Sequence, residues 1–230
     1  MFCGTLSCLF VYGACPCEGK GGLLLVFEKG HSKENHVPRI FSFGASTAQG
    51  SKDDEGGFIA RIGKRLQQEG LGHAENYGIG GHSTDDMLPR LPDLPIHDNS
   101  DIAIVTLGIN DVPRAPDPRP DRRVPLDRHD ANVHTIVENL KGRCRVLYVT
   151  QYPVNYDQRG LDKQLVESYV NVGRQVAHEV GVEILDIHPE IDDAKYAAFI
   201  HEDGMHFNSD GHAYIADRIW DHLTASGHFD

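Results

Sequence analysis

The sequence predicts an α/β fold: a mostly parallel sheet with helices packed on both faces. Three observations lead there. Short apolar runs alternate with amphipathic helical stretches from Arg39 to the end, two of those runs are apolar without a break, and turn residues separate the segments. Alternating strands and helices require crossover connections, and crossovers make neighbouring strands parallel. Residues 1–38 precede this pattern and are read as a leader outside the core, with residues 39–230 as one domain.

Taken in order, "RIFSF" is the first strand, ending at Gly44. "GFIARIGKRLQQEG" follows with Phe58, Ile62 and Leu66 spaced by four, one face of a helix that Gly70 closes. A short strand is expected around "AENYG". "DIAIVTLG" is continuously apolar, as suits a strand covered on both faces. "ANVHTIVENLKG" then aligns Val133, Ile136, Val137 and Leu140, with Gly142 as a stop, and "CRVLYVT" is another buried strand. The helix "LDKQLVESYVNVGRQVAHEVG" leads to the strand "VEILDI". In the last helix, "NSDGHAYIADRIWDHL", Ile215, Ile219 and Leu223 face inward.

Composition narrows the function classes. The 230 residues are 40% hydrophobic and 24% charged, an ordinary globular balance. A net charge of -12 argues against a nucleic-acid partner, because phosphate binding rests on clustered Lys and Arg. Four of the five cysteines, Cys3, Cys8, Cys15 and Cys17, lie in the leader, and Cys144 alone follows, so the domain does not depend on disulfides. The leader's apolar run is short of a membrane span, and no Lys or Arg precedes it. A soluble, cytoplasmic protein is expected, with secretion through an atypical leader as the alternative.

Ligands of parallel sheets bind at the carboxyl ends of the strands. Each exit here carries residues suited to acyl transfer. The first runs into "FGASTAQG", where Ser46 is either a helix cap or a nucleophile. The second runs into "NYGIGGHST", where Gly81 offers an unobstructed backbone N–H or forms only a flexible turn. The third runs into "GINDVPR", where Asn110 offers a side-chain amide or opens an Asx turn. Before the last helix, Asp203 and His206 stand three apart, a spacing at which the carboxylate can hold the imidazole Nδ1–H and leave Nε2 as a base. The bland reading is a capped turn beside one of 14 histidines.

Together these blocks resemble the SGNH hydrolases, the GDSL-type esterases and lipases. "FSFGAST" is similar to their first block with Ser46, "NYGIGGHST" to the second with Gly81, "LGIND" to the third with Asn110, and "DGMH" to the last with Asp203 and His206. The resemblance implies a flavodoxin-like three-layer α/β/α sandwich on a five-stranded sheet. It also implies a serine esterase working through a Ser46–His206–Asp203 triad and an acyl-enzyme, without metal or organic cofactor. The oxyanion hole would comprise Ser46, Gly81 and Asn110. One departure stands out: the family's Gly-Asp-Ser is here Gly44-Ala45-Ser46.

The expected partner is a small ester: a short acyl ester, an acetylated sugar or a lysolipid. Arg114 in the Pro- and Arg-rich loop after Asn110, and Tyr152 and Tyr156 at a strand exit, are the candidate substrate contacts. Two rival readings remain: an SGNH-fold carbohydrate- or lipid-binding module with weak chemistry, prompted by Ala45, and a nucleotide-binding fold, disfavoured because "NYGIGGHST" lacks a full G-x-G-x-x-G run.

Overall fold

The computed structural model describes residues 38–96 and 98–229. The expectations placed on the leader and its four cysteines therefore lie outside the described residues.

The chain runs β1 (Arg39–Gly44), α1 (Ser46–Gln49), α2 (Gly57–Glu69), β2 (His73–Asn76), α3 (Thr84–Met87), β3 (Ile102–Thr106), α4 (Leu126–Lys141), β4 (Arg145–Val149), α5 (Tyr156–Arg159), α6 (Lys163–Val180), β5 (Glu183–Leu185), α7 (Asp193–Phe199) and α8 (Ser209–Ala225). The five strands form one parallel sheet in the order β2-β1-β3-β4-β5. That is the flavodoxin-like order, and its switch point lies between β1 and β3.

Side chains on a strand alternate between faces, so a sheet covered on both sides needs apolar residues at every position. Ile40, Ile102, Ile104, Leu147 and Val149 face a core shared with Phe58, Ile62 and Leu66 of α2 and Ile215, Ile219 and Leu223 of α8. The neighbours Phe41, Phe43, Ala103, Val105 and Val146 face the opposite core, with Val133, Ile136, Val137 and Leu140 of α4 and Val176 of α6. Burying each such Phe, Ile or Leu stabilises the fold by roughly 1.5–3 kcal/mol. The result is a three-layer α/β/α sandwich. Among the described residues, no helix is long and apolar enough to cross a membrane.

The main departure from the sequence pattern is the start of α4, which begins at Leu126 rather than near Ala131. Its first turn hides from periodicity because Leu126 is exposed and the inward residue there is His129, a polar side chain buried on the apolar stripe. Pro125 before the helix and Asp127 in its first turn are the signals that mark this start.

Candidate active site

β1 delivers Ser46. Gly44 ends the strand at φ +156°, where a Cβ would stand 2.2 Å from the Thr106 carbonyl oxygen, so only glycine passes between β1 and β3 here. Ser46 then opens α1, whose single turn is closed by Gln49 N donating to Ala45 O at 2.9 Å. Ala45 gives this helix no side-chain cap. Among the described residues, the half-buried Ser46 hydroxyl makes no hydrogen bond.

The Gly-rich loop is clipped to that turn. Gly80 N donates to Gln49 Oε1 at 3.0 Å, and Gly81 follows at φ +80°. Asn110 Nδ2 donates to His82 O at 3.0 Å, which ties the β3 exit to the same loop and leaves its second amide hydrogen for another acceptor. Beneath them Asp111, fully buried, accepts from Thr84 N at 2.9 Å, from the Thr84 hydroxyl, and from His129 Nδ1 at 2.7 Å. Asn132 Nδ2 adds a bond to Thr84 Oγ1 at 2.9 Å. Thr84, Asp111, His129 and Asn132 carry no motif that marks them for the site in the sequence. One signal was available, since His129 sits four residues before Val133 on the inward stripe of α4.

Asp203 and His206 are paired as their spacing suggested. His206 Nδ1 is 2.7 Å from Asp203 Oδ2, while Asp203 Oδ1 accepts from the backbone N–H groups of Met205 at 2.9 Å and His206 at 3.1 Å. Burial works to raise this carboxyl, but the imidazole and the two N–H donors outweigh it and hold it well below the ordinary range. The acid is thus ionised and aimed, and His206 Nε2 makes no hydrogen bond among the described residues.

The sequence also matches the GDSL-like Lipase/Acylhydrolase family over residues 42–214, a span holding all five of these positions. The chain belongs to that family. It is an ester-bond hydrolase. Its curated relatives include the human isoamyl acetate-hydrolyzing esterase 1 homolog, 27% identical with 80% of each chain covered. The mouse homolog is also 27% identical, with 77% of this chain and 78% of that protein covered. Two solved structures share the fold. A lipase/acylhydrolase from Enterococcus faecalis superposes with a TM-score of 0.68 at 19% identity, covering 82% of this chain and 96% of that one. An acetylxylan esterase from Geobacillus stearothermophilus gives 0.68 at 20% identity, covering 80% and 93%.

In this GDSL-family chain, Tyr152 is not placed as a substrate contact. It is buried, stacks on Phe207 with ring centroids 3.7 Å apart, and donates its hydroxyl hydrogen to Met205 O at 3.1 Å. With that hydrogen committed, the Thr47 hydroxyl 3.1 Å away donates to Tyr152 Oη. One phenol thus links the residue after Ser46 to the residue before His206. Tyr152→Phe should lower kcat about tenfold, with a smaller change in KM, because the strut loosens while the ring packing stays. Steady-state kinetics on the folded variant would check this.

A second tie joins the same two regions. Asp53 accepts from Gly57 N at 2.8 Å and from Arg61, whose guanidinium also donates to Ser209 Oγ at 2.8 Å, the first residue of α8. Burial raises the Asp53 pKa, but Arg61 and Gly57 N overrule it and bring it down to about 2. A carboxyl depressed in the folded state stabilises above its unfolded pKa, and that stability is lost as pH falls through the folded value. The Asp53 side chain is only 1% exposed, so Asp53→Asn should remove about 2 kcal/mol at pH 7 and much less near pH 2. Denaturant titrations at the two pH values measure the difference.

Tyr156, by contrast, lines a cavity of about 900 Å³ whose walls also include Asn155, Lys163, Glu167, His188 and Tyr196. Neither Ser46 nor His206 is among the residues lining it. The cavity abuts the loop of Asp203 and His206, since Asn155 N donates to Gly204 O at 2.7 Å. Arg114 is half-buried, and its Nε is buried without a hydrogen-bond partner.

Proposed function

We propose that this hydrolase cleaves carboxylic esters of short acyl groups, acetyl among them, through an acyl-enzyme on Ser46. The observation that carries the reading is the Asp203–His206 pair, whose Nε2 makes no hydrogen bond among the described residues, tied through Tyr152 to the turn that bears Ser46. His206 Nε2 takes the Ser46 proton as the oxygen attacks the acyl carbonyl. The N–H groups of Ser46 and Gly81 and the spare hydrogen of the Asn110 amide receive the oxyanion. His206 then protonates the departing alcohol, and in the second half it activates the water that releases the acid. The acetyl preference draws support from the relatives named for isoamyl acetate.

Stoichiometric labelling by a fluorophosphonate, lost in Ser46→Ala together with turnover of 4-nitrophenyl acetate, is the expected result. The competing reading, a binding module of the same fold, draws on the missing cap at Ala45 and expects folded protein that takes no label.

A further inference from the structure

The loop after Asn110 carries five arginines between positions 114 and 128 in an otherwise acidic chain. Three of them are matched: Arg122 to Asp86 at 2.9 Å, Arg123 to Asp117 at 2.6 Å and Arg128 to Asp85 at 2.7 Å. Arg119 is exposed to solvent. Arg114 is different, because it is half-buried and, among the described residues, its guanidinium has neither an ion pair nor a hydrogen bond. Buried polar groups in folded proteins nearly always find a partner, and a desolvated charge without one is unfavourable.

Its surroundings make the position stranger. Burial, with the positive charges of Arg123 and Arg159 behind it, pushes Arg114 down to about 10. The nearby carboxylate, Asp117, already serves Arg123 at 2.6 Å. Arg159 has no carboxylate partner among the described residues, and the one hydrogen bond of its guanidinium is a long one of 3.4 Å to the Asp203 carbonyl. Two unmatched guanidiniums thus lie near one another in a chain with 34 acidic residues.

The backbone fixes where they stand. Arg114 is four residues beyond Asn110 and forms an antiparallel bridge with Leu161, and Ala115 N donates to Gly160 O at 2.7 Å. Arg159, just before that bridge, touches the loop of Asp203. The strip therefore runs from the Asn110 loop to the loop of Asp203 and forms a rim between them.

We infer that Arg114 and Arg159 form an anion-recognition pair at this rim, and that the substrate class is an ester carrying a carboxylate or phosphate beside the scissile bond. The inference rests on the esterase reading above. A guanidinium fork matches such an oxyanion bidentately, and the charge of the substrate supplies the partner that the fold withholds.

The anion could sit on either side of the ester, so the test has two arms. The acyl arm compares mono-(4-nitrophenyl) succinate with 4-nitrophenyl butyrate, and the alcohol arm compares 4-acetoxybenzoate with 4-acetoxybenzamide. At least one arm should favour the anion in kcat/KM by about tenfold or more, chiefly through KM, with the preference fading as salt is raised. Arg114→Gln and Arg159→Gln should each collapse that ratio, and Arg114→Lys should retain part of it. Serine-dependent turnover with no anionic preference in either arm would overturn the inference and leave the esterase reading standing, as would a preference that survives both glutamine variants. Absence of serine-dependent turnover on all four esters would overturn both.

Discussion

Replacing Ser46 with alanine should lower kcat by about 10⁴- to 10⁶-fold while leaving the fold intact. The magnitude follows from the mechanism proposed above: without the serine, His206 would have nothing to deprotonate, and only binding and the proposed oxyanion donors would remain. The fold is spared because the half-buried hydroxyl makes no hydrogen bond among the described residues, so its removal strands no partner. Alanine also suits the first turn of α1. Single-turnover kinetics alongside circular dichroism would separate lost chemistry from lost structure, and a variant retaining more than a few per cent of wild-type kcat would remove Ser46 from the mechanism.

Asp203→Asn should cost about 10³- to 10⁴-fold in kcat with little change in KM. The asparagine oxygen can still accept from the N–H groups of Met205 and His206, which preserves the turn. Its amide, however, presents hydrogens to His206 Nδ1, which then has to accept, and the proton moves to Nε2, the nitrogen proposed above as the base. The pH dependence of stability gives a second signature. Because Asp203 is held below the ordinary carboxylate range, it stabilises the folded state above that range, and the contribution drains away as acid protonates it. The asparagine variant should therefore differ most from wild type in stability near neutral pH and least in strong acid, which denaturant titrations would register.

How much of this was legible beforehand depended on the kind of signal. The five strands and the helices α2, α6 and α8 were visible because burial on one stripe or on both faces writes a period into the sequence, as in "DIAIVTLG" and in Phe58, Ile62 and Leu66. The short helices α3, α5 and α7 were not, since one or two turns are held by caps such as Ser83, Asn155 and Asp192 and carry no repeating stripe. In the site, Asp203 and His206 were readable because both partners lie on one turn. Asp111 with Thr84 and His129 was not, because three distant polar residues satisfy one another only after the sheet has brought their loops together. Tyr152 was misplaced for a related reason: an aromatic at a strand exit looks the same whether it points at a ligand or into the core.

The order of the sheet has a consequence in time. β1, with Ser46 at its end, leaves the ribosome early, whereas the segment bearing Asp203 and His206 comes after all five strands and just before α8. That helix docks on α2, an element made long before it, and such distant contacts form late because a long loop must close first. A growing chain would thus carry Ser46 across all five strands before Asp203 and His206 are added. On the mechanism proposed above, hydrolysis begins only once α8 has packed on α2, so the activity doubles as a report on that long-range contact.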